Sequence, residues 1–173
     1  MDFVRLTEKQ RQGFEENGYL IIPQAIDAQT VAILTESGDQ LMKSFEYDGF
    51  YAHRRHGLVQ EDPFLSLVSN SSTVPLIIQL LGTNIHMTNT ALIYKHPQDG
   101  TLVSERNWHR DVGVHLDLGH NDLPRVGLKI GYCLTDCMES NSGSTLFVEG
   151  SNNLAQPLII PAEQTDPKEF YEP

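Results

Sequence analysis

Three His-x-Asp pairs lie within residues 107–122, whose sequence is NWHRDVGVHLDLGHND. They are His109/Asp111, His115/Asp117 and His120/Asp122. In an extended strand, residues i and i+2 point to the same side, so an imidazole nitrogen and a carboxylate oxygen can converge on one metal ion. His109 and Asp111 follow Trp108 at the end of a predicted strand, whereas the other two pairs lie in a glycine-punctuated segment. The sequence therefore favours His109/Asp111 as a metal-binding pair.

The type of donor in this pair indicates which metal it would hold. Two imidazole nitrogens and one carboxylate oxygen on one face of an octahedral site suit Fe(II), and they leave three positions open for a cosubstrate and dioxygen. Such a site needs a second histidine from a distant strand and a cationic group for the carboxylate of the cosubstrate. Two other interpretations stay open: a histidine in a surface loop without a ligand, and a structural cupin-like protein that holds zinc or nickel at the same pair.

The composition describes a globular chain with an acidic balance. The chain has 173 residues, of which 39% are apolar and 20% charged, and this length is enough for one domain. The formal net charge of -11 argues against nucleic acid and anionic membranes as partners, because both require basic patches. No apolar run is long enough to span a bilayer, and the N-terminus lacks the apolar core of a signal peptide. We therefore predict a cytoplasmic protein.

Local signals predict two helices near the N-terminus. Thr7 and Gln10 have the spacing of a capping box for a helix that Gly18 would close. Asp27 can cap a second helix, in which apolar residues recur at helical spacing. Gly38 weakens this second helix but need not break it.

A third helix and two irregular segments complete the first half of the chain. Pro75 in the first turn and Gly82 just past the end bound the third helix. The apolar run at 18–23, GYLIIP, predicts a short strand stopped by its proline. The polar segment 46–62 is predicted to be a loop.

After Gly82 the apolar residues change from helical spacing to alternation. Alternating patterns in 85–94 and 125–136 predict two strands, and 144–149 predicts a third after a turn. Helices first and antiparallel-looking strands afterwards are typical of an α+β chain with a mostly β core, built on a sandwich or barrel.

Five segments of the chain resemble those of one known family. They are GYLIIP at 18–23, LIYKHPQDG at 92–100, NWHRD at 107–111, PRVGLKIGYCLTD at 124–136 and SNSGSTLFVEGSN at 140–152. In this order and with these gaps, they make the chain similar to the phytanoyl-CoA dioxygenase family of Fe(II)/2-oxoglutarate oxygenases. The resemblance covers nearly the whole chain.

This resemblance implies a double-stranded β-helix, that is, a cupin-like jelly roll with N-terminal helices. Residues 1–173 would form a single domain, with a helical part over 1–82 and the first strands of the jelly roll over 83–173. A jelly roll has eight strands, and about four are predicted after Gly82. We therefore expect the C-terminal strands, which carry the second iron histidine and a distal arginine in the family, to be missing or supplied by a partner.

The resemblance also assigns the metal ligands. His109 and Asp111 match two of the three iron ligands and would therefore be catalytic residues. His115 or His120 would be the third ligand only if a loop residue replaced the missing histidine, and loop histidines of the family more often face the substrate. The implied cofactors are Fe(II) and, as cosubstrate, 2-oxoglutarate.

Four further positions match residues that bind the cosubstrate or offer an alternative to them. Arg55 matches a basic residue that contacts 2-oxoglutarate, and a one-residue slip would put Arg54 there instead. Ala91 and Tyr132 match cosubstrate-contacting positions where they would pack or stack. Lys95 is an alternative cationic partner, or otherwise a solvated residue at a strand end.

The activity that the resemblance implies is hydroxylation of a small organic substrate by dioxygen, with succinate and carbon dioxide as coproducts. Halogenating relatives replace the ligand carboxylate with a small residue, so Asp111 favours hydroxylation or desaturation. The acidic charge does not favour a CoA thioester as substrate. The alternative is an inactive or non-enzymatic jelly-roll module that binds a metal or a small molecule. Glu149 and Asn152 motivate it, because relatives usually have proline and histidine there.

Overall fold

The computed structural model describes residues 3–43, 62–95, 108–109, 125–137 and 145–154, and the backbone of 51–54. The chain divides into two compact units. The first unit comprises Met1–Arg5, Ile22–Thr101 and Ile130–Ser144. The second unit comprises Leu6–Ile21, Leu102–Lys129 and Thr145–Pro173. None of the helices within the described ranges is long and apolar enough to cross a membrane.

Helix α1 spans Glu8–Asn17 in the second unit and begins with the predicted capping box. The backbone nitrogen of Gln10 donates to Thr7 Oγ1 at 3.2 Å, and the backbone nitrogen of Thr7 donates to Gln10 Oε1 at 2.9 Å. Gly18 closes the helix in the left-handed conformation, with φ 83°, and donates to the carbonyl of Phe14. The predicted start and end of this helix are therefore confirmed.

Helices α2 and α3 belong to the first unit and span Ala28–Lys43 and Val74–Leu81. Asp27 Oδ1 accepts a hydrogen bond of 2.7 Å from the backbone nitrogen of Thr30, which confirms the predicted cap of α2. Pro75 lies in the first turn of α3, and Gly82 follows its last residue, as predicted. A 3-10 helix, Phe64–Ser69, precedes α3.

Strands β1 (Tyr51–Arg54) and β2 (Leu92–Lys95) pair antiparallel, with Arg54 opposite Leu92 and Tyr51 opposite Lys95. The prediction of a loop over 46–62 is wrong at β1. Four residues carry little periodicity, and the strand exists because a distant segment pairs with it. Strand β2 covers only the last part of the alternating run 85–94.

The core of the first unit lies between α2, the 3-10 helix and β2. Its buried side chains are Leu34, Met42, Phe64 and Leu92. Partly buried residues, including Ile26, Leu67 and Leu134, pack around them.

Elsewhere the described backbone forms no further ladder. Residues 19–22, 125–133 and 145–148 are neither helix nor strand, although strands were expected there. A strand needs a hydrogen-bonded neighbour, and an alternating sequence specifies a face without specifying that neighbour. The alternation is visible in part over 127–135. Leu128, Tyr132 and Leu134 are partly buried, and the residues between them are exposed. These include Ile130, which the alternation would place on the buried side. The jelly roll stays a prediction.

Candidate metal and cosubstrate site

The two faces of strand β2 differ in what covers them. Leu92 is 6% exposed in the core, and Tyr94 on the same face is partly buried. The Tyr94 hydroxyl donates to Asp39 Oδ1 of α2 at 2.5 Å. On the other face, Ile93 is 51% exposed, and Ala91 and Lys95 are also exposed. A ligand that binds against β2 would therefore contact its exposed face, which carries Ala91.

The register of the ladder separates the predicted cationic partners of the cosubstrate. Leu92 pairs with Arg54, and Lys95 pairs with Tyr51 at the other end of β2. Ala91 directly precedes Leu92 in the chain, and Arg55, which lies outside the described residues, directly follows Arg54. In the sequence, Ala91 and Arg55 thus each neighbour one residue of the Arg54–Leu92 rung. Lys95 lies about 10 Å from that rung along the strand, since each residue rises about 3.3 Å.

The Tyr132 hydroxyl is hydrogen-bonded to another residue of the first unit. It lies 2.5 Å from Thr73 Oγ1, and Thr73 Oγ1 donates to Asn70 Oδ1 at 3.2 Å. Thr73 is buried, and Tyr132 is half-buried. Burial raises the pKa of the Tyr132 phenol above its ordinary value, and the hydrogen bond with Thr73 acts in the opposite direction. The phenol therefore stays neutral at physiological pH.

Thr73 and Asn70 were not among the residues that the sequence singled out. Thr73 lies 59 positions from Tyr132 in the chain, and no local pattern joins residues so far apart. The one available signal, a threonine before Val-Pro at the start of a predicted helix, indicates an N-cap rather than a partner for a tyrosine.

His109 and its neighbour Trp108 are described, and their environments differ. The His109 side chain is exposed, and Trp108 is partly buried. The indole Nε1 of Trp108 is shielded from solvent and has no hydrogen-bond partner. Consecutive side chains of an extended chain point to opposite sides, which agrees with the difference between these two residues.

The predicted site residues that the structure describes belong to different units. His109 belongs to the second unit, whereas Ala91, Lys95 and Tyr132 belong to the first. Asp111 lies outside the described residues. Within those residues, no group of three or more His, Cys, Asp or Glu side chains is placed to hold a metal ion. The donor types of the pair at 109 and 111 nevertheless fit a ferrous ion, and the exposed imidazole is accessible to an ion from solvent.

Comparison with known proteins identifies one family. The sequence profile of the phytanoyl-CoA dioxygenase family matches residues 14–169. The members of this family are Fe(II)/2-oxoglutarate oxygenases, which are dioxygenase-type oxidoreductases. No curated protein and no solved structure matches the chain. The matched range contains every residue of the candidate site.

Proposed function

Because the chain belongs to the phytanoyl-CoA dioxygenase family, we propose that it is a non-haem Fe(II)/2-oxoglutarate-dependent dioxygenase that hydroxylates a small organic substrate. Succinate and carbon dioxide would be the coproducts. The observation that carries the proposal is the family match over residues 14–169, which includes helices α2 and α3, the ladder and the His-x-Asp pair at 109 and 111.

His109 and Asp111 would supply two of the three protein ligands of Fe(II). The neutral imidazole donates a nitrogen lone pair, and the carboxylate adds an oxygen and a negative charge. When bound, the ferrous ion supplies the redox chemistry with dioxygen that no side chain of this protein can supply. The chain contributes the spacing of the two donors in its sequence and the partial burial of Trp108, which directly precedes His109.

Arg55 would pair with the far carboxylate of 2-oxoglutarate. Its planar guanidinium can bind a carboxylate through two parallel hydrogen bonds, which a lysine ammonium cannot do. The sequence position of Arg55 next to the Arg54–Leu92 rung supports it over Lys95, because Ala91 adjoins the same rung. The methyl side chain of Ala91 would leave room for the cosubstrate on the open face of β2.

An anaerobic titration of the protein with Fe(II) and 2-oxoglutarate tests the metal site. We expect the weak visible charge-transfer band that 2-oxoglutarate gives when it chelates a ferrous ion. His109→Ala and Asp111→Ala should abolish the band and leave the circular dichroism spectrum unchanged. The matched controls are His115→Ala and His120→Ala, which remove a histidine from the other two His-x-Asp pairs and should retain the band.

The same titration decides between the cationic residues. Loss of a hydrogen bond to a charged group corresponds to roughly a tenfold or greater loss of affinity. Arg55→Met should therefore weaken 2-oxoglutarate binding by about tenfold or more, and Lys95→Met and Arg54→Met should weaken it much less. A folded wild-type protein without the band would contradict the oxygenase and favour a jelly-roll binding module.

A further inference from the structure

The directions of three hydrogen bonds around Tyr132 follow from the chemistry of their atoms. The backbone N–H of Ser72 can only donate, and it lies 2.9 Å from Asn70 Oδ1. This contact fixes the orientation of the Asn70 amide, since its NH2 group could not accept there. Asn70 Oδ1 carries no hydrogen, so Thr73 Oγ1, at 3.2 Å, must donate to it.

Thr73 has one hydroxyl hydrogen, and the bond to Asn70 uses it. The contact of 2.5 Å between Thr73 Oγ1 and the Tyr132 hydroxyl must therefore contain the hydrogen of Tyr132. The phenol donates to Thr73, and its oxygen keeps only lone pairs for any other partner.

The local structure of α3 supports a specific role for this contact. Thr73 is the N-cap residue of α3, yet its side chain makes no capping hydrogen bond. A threonine hydroxyl at an N-cap normally accepts from the N2 or N3 backbone nitrogen and stabilises the helix. In α3 the N2 residue is Pro75, which has no N–H, so only the N3 nitrogen of Leu76 could donate. Here it is committed to Asn70 and Tyr132 instead. Departures from local rules of this kind are expected where a side chain serves a site.

We infer that Thr73, held by Asn70, is a positioning residue that makes the Tyr132 phenol donate its hydrogen toward α3. The phenol oxygen can then only accept a hydrogen bond from any further partner. A ligand group that bonds to this oxygen must be a donor, such as a hydroxyl or an ammonium group. The carboxylates of 2-oxoglutarate are acceptors, so the Tyr132 hydroxyl does not bind them, although its ring can pack against the cosubstrate. This last consequence rests on the proposed function, whereas the direction of the hydrogen bond does not.

Raman spectroscopy of the whole protein with visible excitation tests the direction. The intensity ratio of the tyrosine doublet, at about 850 and about 830 cm⁻¹, is low when the phenol donates and high when it only accepts. The contribution of Tyr132 to each spectrum is the difference between that protein and the same protein with Tyr132→Phe. We expect a low ratio for it, a higher ratio in Thr73→Val, and a low ratio again in Thr73→Ser, which keeps the hydroxyl.

A high ratio for Tyr132 in the wild type, or no change in a folded Thr73→Val, would overturn the inference. If Thr73→Val does not fold, the wild-type ratio and Thr73→Ser still decide it. The second measurement is the affinity for 2-oxoglutarate in the presence of Fe(II) without oxygen. Tyr132→Phe should change it by less than about threefold, and a loss of tenfold or more would show a phenol that donates to the carboxylate. A wild type that binds no 2-oxoglutarate would refute the proposed function, and the Raman result would still stand.

Discussion

The side-chain amide nitrogen of Asn153 lies 2.9 Å from the carbonyl oxygen of Glu15, in the last turn of α1. Asn152 Nδ2 donates to the same oxygen at 3.1 Å, and the backbone nitrogen of Gly150 donates to the carbonyl of Asn17 at 3.2 Å. The last carbonyls of a helix lack partners within the helix. The turn at 149–153 therefore completes the C-terminus of α1, and this gives a structural role to the asparagine that stands where relatives usually have histidine.

Asn153→Asp should destabilise the protein. The carboxylate cannot donate to the Glu15 carbonyl, and it adds a negative charge at the negative end of the helix dipole. We expect a loss of roughly 1 kcal/mol in the free energy of unfolding, measured with urea. The control is Asn84→Asp, which adds the same charge at an exposed residue and should change stability by less than about 0.5 kcal/mol. Equal losses in the two variants would contradict a role for the Asn153 amide.

Gly38 allows β2 to approach α2 closely. A Cβ at this position would lie 3.0 Å from the Tyr94 hydroxyl oxygen and 3.5 Å from a methyl carbon of Leu92. Alanine favours a helix over glycine by about 1 kcal/mol, but in Gly38→Ala the methyl group would displace the hydroxyl that donates to Asp39. The substitution should therefore bring little stability or reduce it.

The gain should appear when the hydroxyl is absent. In a Tyr94→Phe background, Gly38→Ala should stabilise the protein by up to about 1 kcal/mol, because the methyl group no longer meets an oxygen. Urea unfolding of the four proteins gives the coupling energy between the two positions. Additive effects would show that the contact at Gly38 has no energetic consequence.

Sequence reasoning located the helices because their boundaries depend on neighbouring residues. The Thr7–Gln10 box, the Asp27 cap and the left-handed Gly18 each act within about one helical turn. Strand β1 was missed because its existence depends on β2, and the pattern of Tyr51–Arg54 does not name that partner. At the candidate site, the metal that the residue types at 109 and 111 indicate stays a prediction, whereas the partner of Tyr132 arises only when distant segments pack together.

The cap at Asp27 should make stability depend on pH. Hydrogen bonds from Thr30, first of all from its backbone N–H, lower the pKa of Asp27 in the folded protein. A carboxyl group with a lowered folded pKa stabilises the fold above its unfolded pKa of about 3.9, and this stabilisation is lost as the pH falls through the folded value. We therefore expect the difference in unfolding free energy between the wild type and Asp27→Asn to shrink below about pH 4. Asparagine is the matched control, because it also caps helices but does not titrate. A difference independent of pH would contradict the role of the charged carboxylate.

Arg125 joins two partners on α1, and a lysine should not replace it. Its guanidinium lies 5.1 Å from the centre of the Phe14 ring and also forms an ion pair with Glu15. A planar guanidinium can stack on a ring while it bonds to a carboxylate, but a compact ammonium group cannot satisfy the same geometry. Arg125→Lys should lower the free energy of unfolding by roughly 0.5 kcal/mol, a small value because the side chains of Arg125 and Glu15 are substantially exposed.

Glu15→Gln separates the two contacts of Arg125. It removes the ion pair and keeps the guanidinium over Phe14, so it should cost less than Arg125→Met, which removes both contacts. The two partners also differ in their response to salt, because added salt screens an exposed ion pair and affects packing on the ring much less. The loss of unfolding free energy is measured by urea unfolding at about 0.1 M and about 1 M sodium chloride. At the higher concentration, the loss caused by Glu15→Gln should become smaller, while most of the loss caused by Arg125→Met should remain. If Glu15→Gln costs as much as Arg125→Met at both salt concentrations, the stacking on Phe14 does not contribute to stability.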